Sequence, residues 1–182
     1  NIVKILFASV AIMLLLILYY FNTEIVSNQS TDINPKSIAV LPFDNFSPNP
    51  DDEYLSDGFT EVIIANLAKV QDLMVISRTS VMRYKDLDMN LKEIAKELNV
   101  ANILEGSIQR TENKIRVVGQ LIEAKTDKHI WAETYDSNFD DIFTIQSSIA
   151  KEIAIALKTK ISKSERLIIE EKLTDNMEAY EN

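Results

Sequence analysis

Seventeen residues without a charge, most of them apolar, occupy positions 5–21 near the start of the chain. A helix of this length spans about 25 Å, and residues 2–4 bring it close to the thickness of a bilayer core. Tyr19, Tyr20 and Phe21 lie at its far end, where membrane helices carry aromatic side chains. We therefore predict a transmembrane helix over residues 1–21, in contact with the membrane through residues 2–21, and a polar linker at 22–35.

The charges beside this segment indicate its orientation. Lys4 precedes it and Glu24 follows it, and basic residues favour the cytoplasmic side. A cleaved signal peptide has a similar layout, but NTEIVSNQS after Phe21 contains no small-x-small cleavage site. We expect a single-pass membrane protein whose C-terminal domain is extracytoplasmic.

Short β-branched runs and apolar stripes at helical spacing alternate between residues 36 and 160. The predicted strands lie at 37–43, 73–76, 101–110, 114–124 and 129–135. The predicted helices run from a cap at Ser56 or Asp57 to about Lys69, over 91–98 after a cap at Asn90, and onward from about Asp140. A loop is expected at 44–54, and a turn with one short helical turn at 77–85. The order β-α-β-α-β-β-β-α predicts an α/β domain with a mixed five-stranded sheet packed by helices.

Composition and charge restrict the function classes. The chain of 182 residues has no Cys and a single His, which excludes thiolate and multi-histidine metal sites. Its net charge of -9 disfavours a general nucleic-acid binder, which needs a basic face. Gly58 is isolated, and neither common glycine-rich phosphate-binding motif occurs. We predict no catalytic residues, no metal and no cofactor in this segment, and no nucleic acid bound through it.

An acidic cluster precedes the first predicted helix of the α/β domain: Asp51, Asp52, Glu53 and Asp57. Its oxygen ligands would suit Ca²⁺, but their spacing does not follow the pattern of a calcium-binding loop. Acidic residues also favour the positive end of a helix. We prefer this second interpretation, a solvated loop that leads into a helix.

Six segments follow one another in an order and at a spacing that are specific in combination. They are AVLPFDNFS (39–47), YLSDGFTEVI (54–63), VISRTS (75–80), LNVANILEGSIQR (98–110), IRVVGQLIEAKTDKHIWAETYD (115–136) and DIFTIQSSIAKEIA (141–154). Residues 36–160 resemble the TolB amino-terminal-like domain of bacterial membrane proteins that also carry tetratricopeptide repeats. Asn99 stands where the family usually has Gly, and the turn at 126–129 lacks the usual Gly.

The resemblance implies a mixed sheet with helices packed on it. It also implies a role in envelope-associated signalling or assembly and not in catalysis. For a bacterial protein of this kind, the expected location is the inner (cytoplasmic) membrane, single-pass, with the C-terminal domain in the periplasm. In such proteins an adenylate cyclase, kinase or DNA-binding domain often precedes the membrane helix, and tetratricopeptide repeats often follow the α/β domain. Residues 161–182, with MEAYE at 177–181, are then a helical connector toward such a repeat array.

Arg78, Thr79 and Ser80 are candidate ligand contacts after the second predicted strand. Their guanidinium, hydroxyls and free backbone N–H groups could bind an anion. In the alternative, which we favour, Arg78 pairs with a carboxylate and Thr79 or Ser80 caps a short helix.

Glu105 is a further candidate contact, within the third predicted strand. A buried carboxylate there needs a partner such as Arg78 or Arg116. Without a second acid or base, Glu105 does not form a catalytic pair.

Two glycines stand on adjacent predicted strands, Gly106 and Gly119. They predict close packing of a helix or of neighbouring backbone, with an open ligand slot as the less favoured alternative. Together with Ser56, Asp57 and Gly58, they are assigned structural roles in turns, caps or packing.

His129 and Trp131 are candidate contacts on the last predicted strand, where simple alternation places them on one face. An exposed aromatic row could dock a partner. In the alternative, Trp131 packs in the core under a helix and His129 marks a turn.

These features predict a non-catalytic extracytoplasmic interaction or sensing module of a single-pass membrane signalling protein. Its partner would be an envelope protein or a small ligand, and self-association is left open. One alternative is the regulatory part of a membrane-bound adenylate cyclase or similar enzyme whose catalytic domain lies upstream. Another is a secreted envelope assembly factor.

Overall fold

The computed structural model describes residues 12–17 and 33–157, and the chain divides between Ile33 and Asn34 into two units. In the first unit, residues 12–17 are helical and their side chains are exposed. None of the helices within the described ranges is both long enough and apolar enough to cross a membrane. The predicted membrane helix therefore has no support there. The rest of residues 1–21, most of the linker and the connector at 161–182 lie outside the described residues.

The second unit is an α/β domain, which confirms the predicted fold class. Its described strands are β1 (Ser37–Val40), β2 (Asp44–Asn45), β3 (Met74–Val75), β4 (Asn102–Thr111), β5 (Lys114–Glu123) and β6 (Lys128–Asn138). Its described helices are α1 (Glu53–Leu67), α2 (Arg78–Val81), α3 (Leu91–Leu98) and α4 (Ile142–Ala156). Short 3₁₀ turns occur at Pro50–Asp52, Met82–Tyr84 and Phe139–Asp141.

The strands of the described residues form one mixed sheet in the order β3-β1-β4-β5-β6, with β2 paired to β4 as well. β1 is parallel to β3 and β4, whereas β4, β5 and β6 form an antiparallel meander. The predicted count of five strands was wrong, because β2 lies inside the stretch that we expected to be a loop. After a short gap, β2 pairs with β4 further along the same edge as β1. Pro42, which has no backbone N–H to donate, lies in the gap between β1 and β2.

Helix α1 begins earlier than predicted. Asn49 accepts a hydrogen bond from the backbone N–H of Asp51 and starts a turn that runs directly into the helix. A proline at the first position of such a turn has its backbone preset for helix. Ser56 and Asp57 consequently lie within α1, and so does Gly58, so the prediction of a cap or turn at these residues was wrong.

Helix α3 has the predicted bounds, and its predicted cap is confirmed. The side chain of Asn90 accepts a hydrogen bond from the backbone N–H of Lys92 at 2.9 Å. At the other end, Asn99 adopts a left-handed conformation with φ of 54°. Gly and Asn are the residues that tolerate this conformation best, so Asn99 replaces a family glycine without changing the helix end.

Side chains alternate between the two faces of the meander. One face, which we call the helix face, packs under α1 and α4 and carries buried residues such as Leu104, Val117 and Leu121. The other face, which we call the open face, carries Glu105 and Gln120 and is covered by α3 at one end only. The apolar core therefore lies mainly between the helix face and its two long helices.

Strand β6 contains a bulge that changes which side chains share a face. Leu121 pairs with Trp131 and Ile122 pairs with His129, so Ile130 is an extra residue. Because Leu121 and Ile122 point to opposite faces, Trp131 and His129 do so as well. The prediction that these two side chains share one face was wrong, since simple alternation takes no account of an extra residue.

Candidate functional site

The open face carries a cavity of about 370 Å³, where the β1–β2 stretch meets β4. We call it the β4 cavity. Its floor is formed by residues of β4 and β5, and its walls by residues 41–46, by the segment 84–89 and by the start of α3. Apolar side chains make up much of its lining: Leu41, Pro42, Phe46, Leu87, Met89, Leu91, Ile94 and Val118. Three carboxylates also line it: Asp44, Asp86 and Glu105.

The wall at 84–89 is attached to two helices. The Tyr84 hydroxyl donates a hydrogen bond to Glu97 Oε2 of α3 at 2.8 Å. The Lys85 ammonium donates to Asp57 Oδ1 at 2.7 Å and contacts Glu53 Oε1 at 2.5 Å, both on α1. Burial lowers the pKa of Lys85, but these hydrogen bonds more than offset it, so the pKa is raised on balance. Side chains on such an attached wall need little reordering when a ligand binds.

Asp44 stands at the edge of the β4 cavity, paired in register with Ser107. Partial burial raises the pKa of Asp44, the negative charges of Asp86 and Glu53 raise it further, and Lys85 lowers it. Lys85 is hydrogen-bonded to the carboxylates of α1, so its charge offsets that of Asp44 only in part. The charge of Asp44 is therefore less favourable in the folded chain than it would be in water.

Glu105 lies on the same face of β4, two residues before Ser107, and is half-buried in the cavity. Burial raises the pKa of Glu105; His129 lowers it, whereas Asp44 and Asp127 raise it. Glu105 makes no hydrogen bond and no ion pair with any residue that the structure describes. A carboxylate in this environment would gain from an ion pair with a cation that comes from outside the domain.

Neither of the predicted partners reaches Glu105. Arg78 Nε lies 3.8 Å from Glu61 Oε2 of α1. Arg116 Nε lies 2.6 Å from Asp136 Oδ1 across the β5–β6 pair. Glu105 is only half-buried, and each of the two arginines suggested as its partner pairs with a different carboxylate.

Two large apolar side chains at the rim of the cavity are exposed to solvent. The exposed fraction is 63% for Phe46 and 53% for Leu87. Both residues come from polar stretches, and both line the cavity. The rim therefore extends an apolar surface from the cavity onto the outside of the domain.

The predicted anion site does not lie at this cavity. Arg78, Thr79 and Ser80 belong to the four-residue helix α2, and none of them lines the β4 cavity. Arg78 pairs with Glu61, which is the alternative that we favoured. The residue at the N-cap is Ser77 and not Thr79 or Ser80, and its hydroxyl lies 3.2 Å from that of Ser80.

Trp131 lies on the helix face. Its indole Nε1 donates a hydrogen bond to Glu152 Oε2 of α4 at 2.8 Å. Its ring lies over Gly119, where an added Cβ would stand 3.0 Å from the ring. Burial and the neighbouring Glu152 raise the pKa of Tyr135, which lies four residues after Trp131 on the same face. This aromatic pair therefore packs β6 against α4, while His129 stays on the open face.

Gly106 pairs directly with Gly119 in the β4–β5 register. A Cβ at Gly106 would lie 2.2 Å from the carbonyl oxygen of Val118 and 2.4 Å from a ring carbon of Phe43. The Phe43 ring packs in turn on Phe59 of α1, with 5.2 Å between ring centroids. The absence of a side chain at Gly106 thus allows Phe43 to enter the core beside β4.

The acidic cluster at 51–57 takes part in helix contacts. Asp52 stands at the N-cap of α1, 3.8 Å from a guanidinium nitrogen of Arg110, and Asp57 binds Lys85. In the part of the chain that the structure describes, no group of three His, Asp or Glu side chains is arranged to hold a metal ion.

Of the predicted contact residues, the structure places Glu105 in the β4 cavity, with His129 affecting it electrostatically. The sequence interpretation missed Asp44, Phe46 and Leu87. A signal for the last two exists in the sequence, since each is a large apolar residue within a polar stretch that has no helix or strand periodicity. Asp44 gives no comparable signal, because acidic residues are common in loops.

No protein-family model matches the chain. Putative adenylate cyclase 3 of Rhizobium meliloti (strain 1021) is 42% identical over 145 residues, which cover 80% of this chain and 25% of that protein. The chain therefore spans about a quarter of the length of this curated relative.

Two solved structures share the fold. TolB from Acinetobacter baumannii superposes with a TM-score of 0.50 at 17% identity, over 66% of this chain and 28% of that chain. Lipoprotein GNA1162 from Neisseria meningitidis superposes with a TM-score of 0.50 at 16% identity, over 66% of this chain and 97% of that chain. These likenesses support the TolB-like fold that the sequence predicted, and at such identities they concern the fold alone.

Proposed function

We propose that the α/β domain is a non-catalytic interaction module of a membrane-associated signalling protein in the bacterial envelope. The observation that carries this proposal is the 42% identity to one quarter of Putative adenylate cyclase 3. The matched region is about a quarter of that protein, so most of its length remains for a separate output domain. The fold shared with TolB and with a lipoprotein supports a place in the envelope.

The side chains of the β4 cavity favour binding over catalysis. Among the described residues that line it, Ser107 carries the one alcoholic hydroxyl, and no described histidine or carboxylate accepts a hydrogen bond from it. A serine nucleophile needs such a base to activate it. The exposed rim of Phe46 and Leu87 is instead typical of a surface that a partner covers.

A second candidate is more specific. The name of the Rhizobium relative favours a domain that regulates an adenylate cyclase located elsewhere in the same protein. Binding at the α/β domain would then change the packing or association of the parent protein, and so its output. This candidate differs from the first only in the identity of the output domain.

Membrane topology tests whether the domain lies in the envelope. A phosphatase reporter that is active only outside the cytoplasm is fused after Asn182, and membranes are extracted with carbonate. We expect an active reporter that stays in the membrane pellet, anchored through residues 2–21. An active but extractable fusion would favour a secreted assembly factor. An inactive fusion would contradict an envelope location.

Regulation is tested in the parent protein. Cyclic AMP production in cells is compared between the complete parent and a variant that lacks residues 36–160. We expect the deletion to change production or to abolish its response to envelope conditions. Unchanged production and response would contradict a regulatory role in a cyclase.

A further inference from the structure

The β4 cavity combines an apolar lining with carboxylates that the domain leaves largely uncompensated. Leu41, Val118 and Ile94 line its inside, and the apolar surface continues outward over Phe46 and Leu87. Asp44 and Glu105 stand in the same cavity on one face of β4. A fitting occupant has an apolar part and a positive charge close to each other.

The described residues do not supply that positive charge. Among them, Lys85 is the one cationic residue that lines the cavity, and its ammonium binds Asp57 and Glu53 of α1. The whole chain carries a net charge of -9, so long-range attraction also favours a basic partner. Charge complementarity therefore selects a cation that arrives from another molecule.

The exposed rim favours a peptide over a small free cation as the occupant of the cavity. A volume of about 370 Å³ is in the range of ligand pockets and has room for one long side chain. A free diamine inside the cavity would leave the Phe46 and Leu87 side chains in water. A peptide that places a cationic side chain in the cavity can cover both with its next apolar residue.

We propose that the β4 cavity binds a basic, apolar segment of a protein partner. A Lys or Arg side chain of the segment reaches Asp44 and Glu105, and a neighbouring apolar side chain lies against Phe46 and Leu87. This inference rests on the proposed function as an interaction module, and it specifies the chemistry of the partner.

Binding is measured by fluorescence anisotropy, with the complete 182-residue chain in mild detergent. The probe is a short labelled peptide of alternating Lys and Leu. Two comparison peptides replace every Lys by Glu or every Leu by Ser, and putrescine serves as a free diamine. We expect saturable binding of the Lys-Leu peptide, weaker binding of the Lys-Ser peptide and none of the Glu-Leu peptide.

Matched variants locate the site. Glu105→Gln and Asp44→Asn should each weaken binding of the Lys-Leu peptide about tenfold, the effect of losing one charge-assisted hydrogen bond. Phe46→Ser should weaken it as well, and this exposed position tolerates the change. Glu133→Gln removes the same charge from the opposite face of the sheet, and it should alter the affinity by less than about twofold.

Four results would overturn the proposal. They are no saturable binding of the Lys-Leu peptide, equal binding of the Lys-Ser peptide, equal affinity for putrescine, and equal losses in Glu105→Gln and Glu133→Gln. Measuring the output of the parent protein distinguishes failure of this proposal from failure of the proposed function. If removal of residues 36–160 alters output whereas Glu105→Gln does not, the proposed function is supported. The β4 cavity is then not the site through which the module acts. If neither change alters output, the proposed function fails too.

Discussion

Glu105 is half-buried beside other acidic side chains, and no described side chain forms a hydrogen bond or an ion pair with it. In the folded chain its charge is therefore less favourable than in the unfolded chain, where water surrounds it. A residue that lowers stability and still lines a cavity is typical of a binding site, where stability and function oppose each other.

Glu105→Gln should stabilise the domain at neutral pH. Because the pKa of Glu105 is raised on folding, the folded state holds the proton more tightly than the unfolded state. The stability from protonated Glu105 is complete below its unfolded pKa and is lost as the pH rises through the folded pKa. The melting temperature of Glu105→Gln should exceed that of the parent chain by a few degrees at about pH 7, and the gain should shrink toward about pH 4.

Glu133→Gln is the control for this experiment, since Glu133 is exposed on the helix face of β6. Its melting temperature should follow that of the parent chain at both pH values. A gain in Glu105→Gln that stays equal at both pH values would show that the charge of Glu105 is not its cause.

At the residue scale, local chemistry allowed some positions to be predicted. Asn90 was recognisable because a short polar side chain before an apolar helical stripe is a good cap. The left-handed Asn99 agrees with the family preference for Gly there. Asp44 was not predictable, because its position depends on pairing with Ser107, which is 63 residues away along the chain.

At the scale of elements, the β4–β5 pair is organised around two glycines that face each other in register. They are not equivalent. The space at Gly106 is limited by the backbone of β5 as well as by the Phe43 ring, whereas the space at Gly119 is limited by the Trp131 ring alone. A side chain can move aside at lower cost than a strand can.

Gly106→Ala should therefore destabilise the domain more than Gly119→Ala does. The new Cβ at Gly106 would lie 2.2 Å from a backbone oxygen, so the strands must separate locally. We expect a loss of about 3 kcal/mol for Gly106→Ala and about 1 kcal/mol for Gly119→Ala, from urea unfolding. Equal losses would mean that the Phe43 and Trp131 rings, and not the backbone, decide the cost.

The longer elements were predictable because their composition or spacing is distinctive over many residues. The meander strands are ten or eleven residues long and rich in β-branched and aromatic residues, and α3 has its apolar residues on one side. β2 was not predictable, since two residues cannot show a period. The end of β6 was placed at Tyr135 and lies at Asn138, because its last residues are polar and are held by pairing with β5.

For the molecule as a whole, the apolar core is continuous from β1 to α4. Buried residues of β1, β4, β5, α1, α3 and α4 belong to one cluster, with Ile38 near its start and Ala154 near its end. Trp131 and Tyr135 of β6 are partly buried and pack against this cluster. A domain of about 125 residues with one core has enough buried surface to fold by itself. The described part of the chain thus contains what a cooperative folding unit needs.

A fragment of residues 34–160 should accordingly unfold in a single transition. Trp131 is the one tryptophan of the chain, and it reports the contact between β6 and α4. Urea unfolding followed by Trp131 fluorescence should coincide with unfolding followed by far-ultraviolet circular dichroism. Separate midpoints would show that the contact with α4 is lost before the sheet unfolds.

The site was less predictable than the fold at this scale. Arg78, Glu105 and Trp131 were each plausible contacts, yet they lie at the first strands, on the open face and on the helix face respectively. Residue type shows what a side chain can do, whereas proximity depends on strand order and register. Only the strand order brings residues 41–46 and 84–89 together around Glu105.

The extra residue Ile130 has a consequence for how relatives are aligned. A homologue with a regular strand at this point has one residue fewer, and an ungapped alignment would then match His129 to a residue from the opposite side of its sheet. A gap at position 130 restores the correspondence on both sides. Apparent variation at His129 among relatives therefore measures real change on the open face only after that gap has been placed.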